Sequence, residues 1–208
     1  MENIAENSKK RVLTSEQVQQ LRLACDTITP GGKRDLAILD SMLYHGLRVK
    51  EIASLRIEDL QREKGHYSIH LADRPMPVKV HPRWQQSMDD WLDQMGVSVE
   101  YDPGPVFVQI PKYAGSPLKP LSKRTISFLV ARYGNLAGIA PIKGPNRLYP
   151  IDLRRTCGRH AYDHGARLSS VSALLGLNHL ESSARFIDIK ELSDPAEALD
   201  RINYYPST

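Results

Sequence analysis

The sequence predicts a mostly helical α+β fold, a single domain with a small antiparallel sheet near its middle. Three observations lead there. Apolar residues recur at helical spacing along most of the chain, strict alternation is confined to a stretch between residues 66 and 81, and Gly and Pro clusters separate the segments. With 208 residues and 41% hydrophobic content, the chain is long enough for one well-buried core. Residues 13–208 are expected to form it, behind a flexible basic lead over residues 1–12.

Thr14, Ser15 and Gln17 form a capping-box signal for a first helix, with Val18, Leu21, Ala24 and Ile28 at helical spacing. Pro30, Gly31 and Gly32 are expected to end it. A second helix spans Lys33 to His45 on Leu36, Leu39, Met42 and Leu43; Gly46 stops it and a third starts near Val49. Gly46-Leu47-Arg48 is therefore a corner between helices. His66 to Leu71 and Pro77 to His81 read as a hairpin around Asp73, Arg74 and Pro75. Pro82 opens a helix with Trp84, Met88 and Trp91 on one face, most simply a core face. Val106 to Ile110 is an apolar strand between loops marked by Gly104 and Gly115. Helices follow over about Ser122 to Ala137, Pro150 to His164, Leu168 to Leu175 and Leu180 to Lys190. A last helix occupies residues 194–203, where Asp194 and Pro195 form an N-cap and N1 pair.

Twenty-eight Lys and Arg against 24 Asp and Glu give a net charge of +4, which suits a polyanion without demanding one. Cys25 and Cys157 supply neither a disulfide framework nor a CxxC metal pair, so a reducing cytosol fits best. The polar, charged N-terminus has no apolar leader core, and no apolar run is long enough to span a membrane. A cytoplasmic protein is expected.

Two arginines far apart in sequence, Arg48 at the corner and Arg154 near a helix start, are candidates to converge on one phosphate. Each guanidinium presents a planar fork that matches phosphate oxygens. The text around them is more specific. Gly46-Leu47-Arg48-Val49-Lys50-Glu51-Ile52-Ala53-Ser54-Leu55 resembles the G-L-R-x-x-E-x-x-x-L box of the tyrosine recombinase (phage integrase) family. Asp152-Leu153-Arg154-Arg155-Thr156 is similar to that family's H-D-L-R-H-T segment, and Leu174-Leu175-Gly176 to its L-L-G-H segment. The resemblance runs from about Leu13 to Lys190. It implies the family's catalytic core without the usual N-terminal DNA-clamp domain, a size similar to that of the small fimbrial invertases. It also implies double-stranded DNA as partner, with no cofactor and no metal.

In the family, two arginines and a histidine or tryptophan hold the scissile phosphate. A hairpin lysine protonates the leaving oxygen, and a tyrosine attacks to form a phosphotyrosine bond. Arg48 and Arg154, supported by Glu51, stand where the resemblance wants them. The histidine places are Ile151 and Leu177, and the nucleophile's place is Phe186. For the hairpin cation the candidates are Arg74 and, with a shifted register, Lys79. Phenylalanine has no hydroxyl for covalent catalysis, and aliphatic side chains donate no hydrogen bond. What remains is a phosphate clamp without a nucleophile: a pseudo-recombinase with a regulatory or accessory role in recombination of a mobile element.

Two other readings compete. Phe186 is also what a Tyr-to-Phe change made to capture a working recombinase on DNA would leave, although Ile151 and Leu177 argue against it. Leu168 to Phe186 also reads as a helix-turn-helix of a transcriptional regulator, with Ser182, Ser183 and Arg185 on its second helix. Tyr204 and Tyr205 could in principle substitute as nucleophile, but they lie well beyond the expected place at Phe186. Lys123, Arg124, Arg155, Arg159 and Arg185 are candidate DNA contacts, against the plainer reading of solvated helix charges. His160 and His164, at i and i+4, lack a third ligand and read as ordinary histidines rather than a metal pair. The helix from residue 194 resembles the family's C-terminal element that packs on a neighbouring subunit. It makes an active recombinase or a second copy the expected protein partner, with packing in cis as the alternative.

Overall fold

The computed structural model describes residues 10–63, 66–72, 74, 77–97, 99, 102–110, 113 and 117–189. The expected helix over 194–203, Asp73, Pro75, Tyr204, Tyr205 and most of the N-terminal lead lie outside these residues.

Helix α1 spans Ser15–Leu23 and opens with the reciprocal capping box, in which Thr14 Oγ1 accepts from the Gln17 amide and Gln17 Oε1 from the Thr14 amide. It ends before Ile28, which is 91% exposed rather than on a helix face. Pro30-Gly31-Gly32 is the first turn of helix α2, Pro30–His45, and not a break before it. Proline suits that position because its missing amide hydrogen would have had no helical partner, and Thr29 Oγ1 caps the Gly32 amide at 3.1 Å. The glycine answers a close approach: a Cβ on Gly32 would fall 1.8 Å from the Asp26 carbonyl oxygen.

Helix α2 is the central element, with Ala37, Ile38, Leu39 and Met42 fully buried. It packs on helix α4 (Pro82–Met95) and helix α6 (Pro150–Asp163). The predicted aromatic face of α4 is buried, and each indole finds an acceptor: Trp84 Nε1 donates to Ser41 Oγ at 2.8 Å and Trp91 Nε1 to the Val106 carbonyl at 2.9 Å. Helix α3 (Val49–Ser54) leads into a sheet of order β1-β2-β3, made of β1 (Leu60–Glu63), β2 (His66–Ile69) and β3 (Val78–Lys79), all antiparallel. The expected hairpin is β2 with β3. Strand β1 was hidden because Leu60 is its single apolar residue. Val106 to Ile110 is no strand: Val108 makes an isolated bridge to Pro120, and Pro105 just before the segment makes another to Arg56, prolines having no amide hydrogen for a ladder.

Helix α5 (Lys123–Leu136), α6 and α7 (Leu168–Leu175) follow the predicted bounds closely. Helix α8 (Leu180–Phe186) stops short of Lys190, and Asp188 takes a left-handed φ of 59° just beyond it. The lead is not wholly free. Lys10 donates to the Arg185 carbonyl and to Asp188, Arg11 donates to the Arg147 and Asn146 carbonyls, and the Leu13 amide donates to Thr156 Oγ1 at 2.9 Å.

Candidate functional site

The site is assembled where two helix C-termini meet. Gly46 ends α2 in the left-handed region, φ 55°, which turns the chain toward α3 and leaves the Gly46 carbonyl facing α6. Helix α7 ends at Gly176, also left-handed with φ 58°. Three guanidinium groups then take three successive carbonyls of that α7 end. Arg74 donates to Leu174, Arg154 to Leu175 and Arg48 to Gly176. Arg154 and Arg74 also reach the Gly46 carbonyl. Cations at a helix C-terminus satisfy orphan acceptors and oppose the helix dipole, which offsets part of the cost of crowding them.

Glu51 holds the group together. Its Oε2 accepts from the Arg48 amide at 2.5 Å and from Arg74 at 2.9 Å, while Oε1 faces Arg74 Nε at 3.2 Å and Arg48 at 3.4 Å. Arg74 and Glu51 are almost sealed, with side chains 2% and 6% exposed, whereas Arg48 is 36% exposed. Three guanidinium groups face one carboxylate, which leaves a positive excess. Burial, and then repulsion from Arg48 and Arg74 against the opposing pull of Glu51, push the Arg154 pKa down to about 10. It stays a cation at neutral pH, in a place that favours an added anion.

Arg48 and Arg154 border a cavity of about 500 Å³ whose other walls are Leu47, Val49, Tyr149, Pro150, Ile151, Leu177 and Phe186. Ile151, Leu177 and Phe186 therefore meet in one place with Arg48 and Arg154. Ile151 is 49% exposed, and Leu177 and Phe186 are half-buried against Val171, Leu175 and Ile187. The Phe186 ring lies between two guanidinium groups, 5.6 Å from Arg154 and 5.3 Å from Arg155.

The phage integrase family model matches residues 11–191. The chain belongs to the phage integrase family. Among curated relatives, the tyrosine recombinase XerD of Xanthomonas axonopodis pv. citri is 29% identical over 182 residues, which cover 85% of this chain and 57% of that protein. A tyrosine recombinase of Pseudothermotoga lettingae is 25% identical over 175 residues, 82% of this chain and 54% of that protein. The chain thus spans a little over half the length of these relatives. Among solved structures, XerA recombinase superposes with a TM-score of 0.70 at 19% identity, over 98% of this chain and 68% of that one. XerH recombinase bound to a palindromic difH substrate gives 0.66 at 20% identity, over 96% and 55%. These two likenesses establish the shared fold.

Within the family fold the remaining candidates separate. Arg74 is no free hairpin cation: it is buried on Glu51, and Lys79 sits exposed on β3, away from the cavity walls. Arg155, expected at the surface, is buried, donating to the Phe186 carbonyl at 2.9 Å and to Asp152 at 3.2 Å. Arg159 pairs with Asp163 at 2.9 Å. Lys123, Arg124 and Arg185 are exposed. Ser183 on α8 is fully buried and shares a 2.6 Å hydrogen bond with Ser172 of α7, so that part of the expected recognition face points into the protein. The His160 and His164 rings each bond a main-chain carbonyl, of Leu13 and of His160. Among the described residues no cluster of His, Cys, Asp or Glu suited to a metal is present, and no helix is long and apolar enough to cross a membrane.

Sequence reasoning missed Tyr149, a cavity wall immediately before α6. The available signal was its place before Pro150, which holds it extended outside the helix that carries Ile151 and Arg154.

Proposed function

We propose that this domain binds double-stranded DNA through the phosphate backbone, with Arg48 and Arg154 as the clamp, and does not carry out covalent strand exchange. It is a pseudo-recombinase, a regulatory or accessory binder that works beside an active recombinase of a mobile element. One observation carries this reading. The cavity that brings both arginines together has Ile151, Leu177 and Phe186 among its other walls, so it can hold a phosphate oxygen but, among the described residues, offers no nucleophile at residue 186 and no imidazole donor. The guanidinium groups have the capacity for this, since each carries five N–H donors and the contacts to carbonyls use only some of them.

Two measurements test it. Arg48→Ala with Arg154→Ala should weaken binding to a labelled duplex more than a hundredfold and reduce the dependence of log affinity on log salt by about 2. Arg48→Ala alone touches only a half-exposed side chain and keeps the test open should the double variant fold poorly. Unchanged affinity in Arg48→Ala, together with loss in Arg185→Ala, would hand the site to α8. On a nicked suicide duplex in denaturing gels, no protein–DNA adduct is expected. An adduct formed by the natural chain refutes the pseudo-recombinase. An adduct restored by Phe186→Tyr alone would mean a working recombinase captured at its nucleophile.

A further inference from the structure

The cavity has one polar wall besides the arginines. Tyr149 lines it together with Arg48, Ile151 and Arg154, yet it belongs to none of the motifs in the sequence. Its backbone is fixed, with φ −113° and ψ 152° before Pro150, and its amide donates to Asp152 Oδ2 at 3.0 Å. Its half-buried ring lies 4.6 Å below the Arg147 guanidinium, which limits where the ring can go. Among the described residues the phenol hydroxyl meets no hydrogen-bond partner in the protein. A phenol is a neutral donor of the kind a phosphate oxygen accepts, and it stands two residues from Ile151, where a donor is missing.

We propose that Tyr149 is a third phosphate-contacting residue, donating a neutral hydrogen bond to a non-bridging oxygen of the phosphate held by Arg48 and Arg154. The proposal rests on the DNA-binding reading above. It assigns Tyr149 recognition and not attack, because among the described residues no carboxylate or histidine lines the cavity to take the phenol proton. Besides Tyr149 itself, the described walls that carry a proton are arginines, and arginine is a poor acid.

The test uses the whole chain, Tyr149→Phe, and fluorescence anisotropy with a labelled mixed-sequence duplex at several salt concentrations. The substitution keeps the aromatic ring under Arg147, and a thermal melt matching the natural chain shows that the fold is retained. Affinity is expected to fall about three- to tenfold, the worth of a single neutral hydrogen bond. The salt slope should stay the same, because no charge is lost; Arg48→Ala, measured alongside, should lower both affinity and slope. Unchanged affinity in Tyr149→Phe while Arg48→Ala still weakens binding overturns the role of Tyr149 and leaves the clamp standing. If neither variant changes binding, the clamp reading falls and takes this proposal with it. A covalent adduct on nicked duplex that the natural chain forms and Tyr149→Phe does not would make the phenol a nucleophile and overturn the donor role.

Discussion

On the cationic side of the cleft the polar groups are matched in detail: Arg48, Arg74 and Arg154 divide Glu51 and the carbonyls of Gly46, Leu174, Leu175 and Gly176 among them. On the hydrocarbon side Ile151 is about half exposed, and Leu177 and Phe186 only lean on a small satellite cluster. One side is tied to the main chain of two helices and the other is a loose apolar margin. The difference is one of how much each substitution would disturb. Removing an arginine strands buried acceptors, which costs about 1–3 kcal/mol each, whereas changing a half-exposed aliphatic residue strands nothing. Substitution on the loose side is therefore cheap for folding, while removal of Arg48, Arg74 or Arg154 is not.

The strongest way to break this comparison is Gly46→Ala. A Cβ there would meet Leu175 Cδ2 at 2.5 Å, on a residue with φ 55°. Left-handed strain of about 1–2 kcal/mol and overpacking of about 1–3 kcal/mol should together lower stability by about 2–5 kcal/mol, a drop of roughly 4–20 °C in Tm. Gly96→Ala is the internal control, since Gly96 has φ 64° with nothing within 4 Å of the added carbon. It should lose only the strain. Equal losses at the two glycines would mean that the packing of α7 against the α2 corner adds nothing, and the tight side would be no tighter than an ordinary helix end.

A pH measurement sharpens the same side. His45 lies directly before the Gly46 corner, with Nε2 accepting from the His81 amide at 3.3 Å and no partner for Nδ1 among the described residues. Burial, then the charges of His81 and Arg74, push its pKa down from 6.5 to about 3, so no further cation joins the three arginines. As pH falls, the unfolded chain takes up this proton before the folded one does. The contribution to stability is complete above the unfolded pKa and drains away as pH drops toward 3, at up to about 1.4 kcal/mol per pH unit. His45→Gln should remove about 2 kcal/mol of stability change between about pH 6 and pH 4.5. Chemical denaturation at a series of pH values checks this, and an unaltered slope in the variant would show that His45 already binds its proton in the fold.

Much of this was legible in the chain itself. The corner at Gly46 and the bounds of α5, α6 and α7 follow from local signals, because capping residues, left-handed glycines and helical spacing act over a few residues; the meeting of Arg48 with Arg154 was legible only through the resemblance to the tyrosine recombinase motifs. Arg74 and Arg155 were not legible in the same way. A guanidinium is buried only when tertiary structure brings it enough acceptors; for Arg74 the Leu174 carbonyl is a hundred residues away, and for Arg155 the Phe186 carbonyl is thirty-one away. Strand β1 escaped for a related reason: its identity lies in the ladder to β2, in which Leu60 faces Ile69, and not in its own pattern. Pro30-Gly31-Gly32 misled because the same residues that stop a helix can also start one when the preceding turn crowds the backbone.

The smallest expected effect lies on the hydrocarbon side, at Ile151→His. Residue 151 is 49% exposed on the first turn of α6, so the substitution should leave stability within about 0.5 kcal/mol. It should also add a hydrogen-bond donor to the cavity wall, and DNA affinity should rise about three- to tenfold, the worth of one neutral hydrogen bond. The gain should persist at pH 8, where the new imidazole is uncharged, since its cause is hydrogen bonding and not added charge. A melt and an anisotropy titration decide the matter together. A loss above about 1.5 kcal/mol would mark Ile151 as part of a packed wall, and the two sides of the cleft would then be equally constrained. Unchanged stability with unchanged affinity would instead place the bound phosphate out of reach of residue 151. In that case the clamp would grip DNA only from the arginine side, and the apolar margin would take no part in binding.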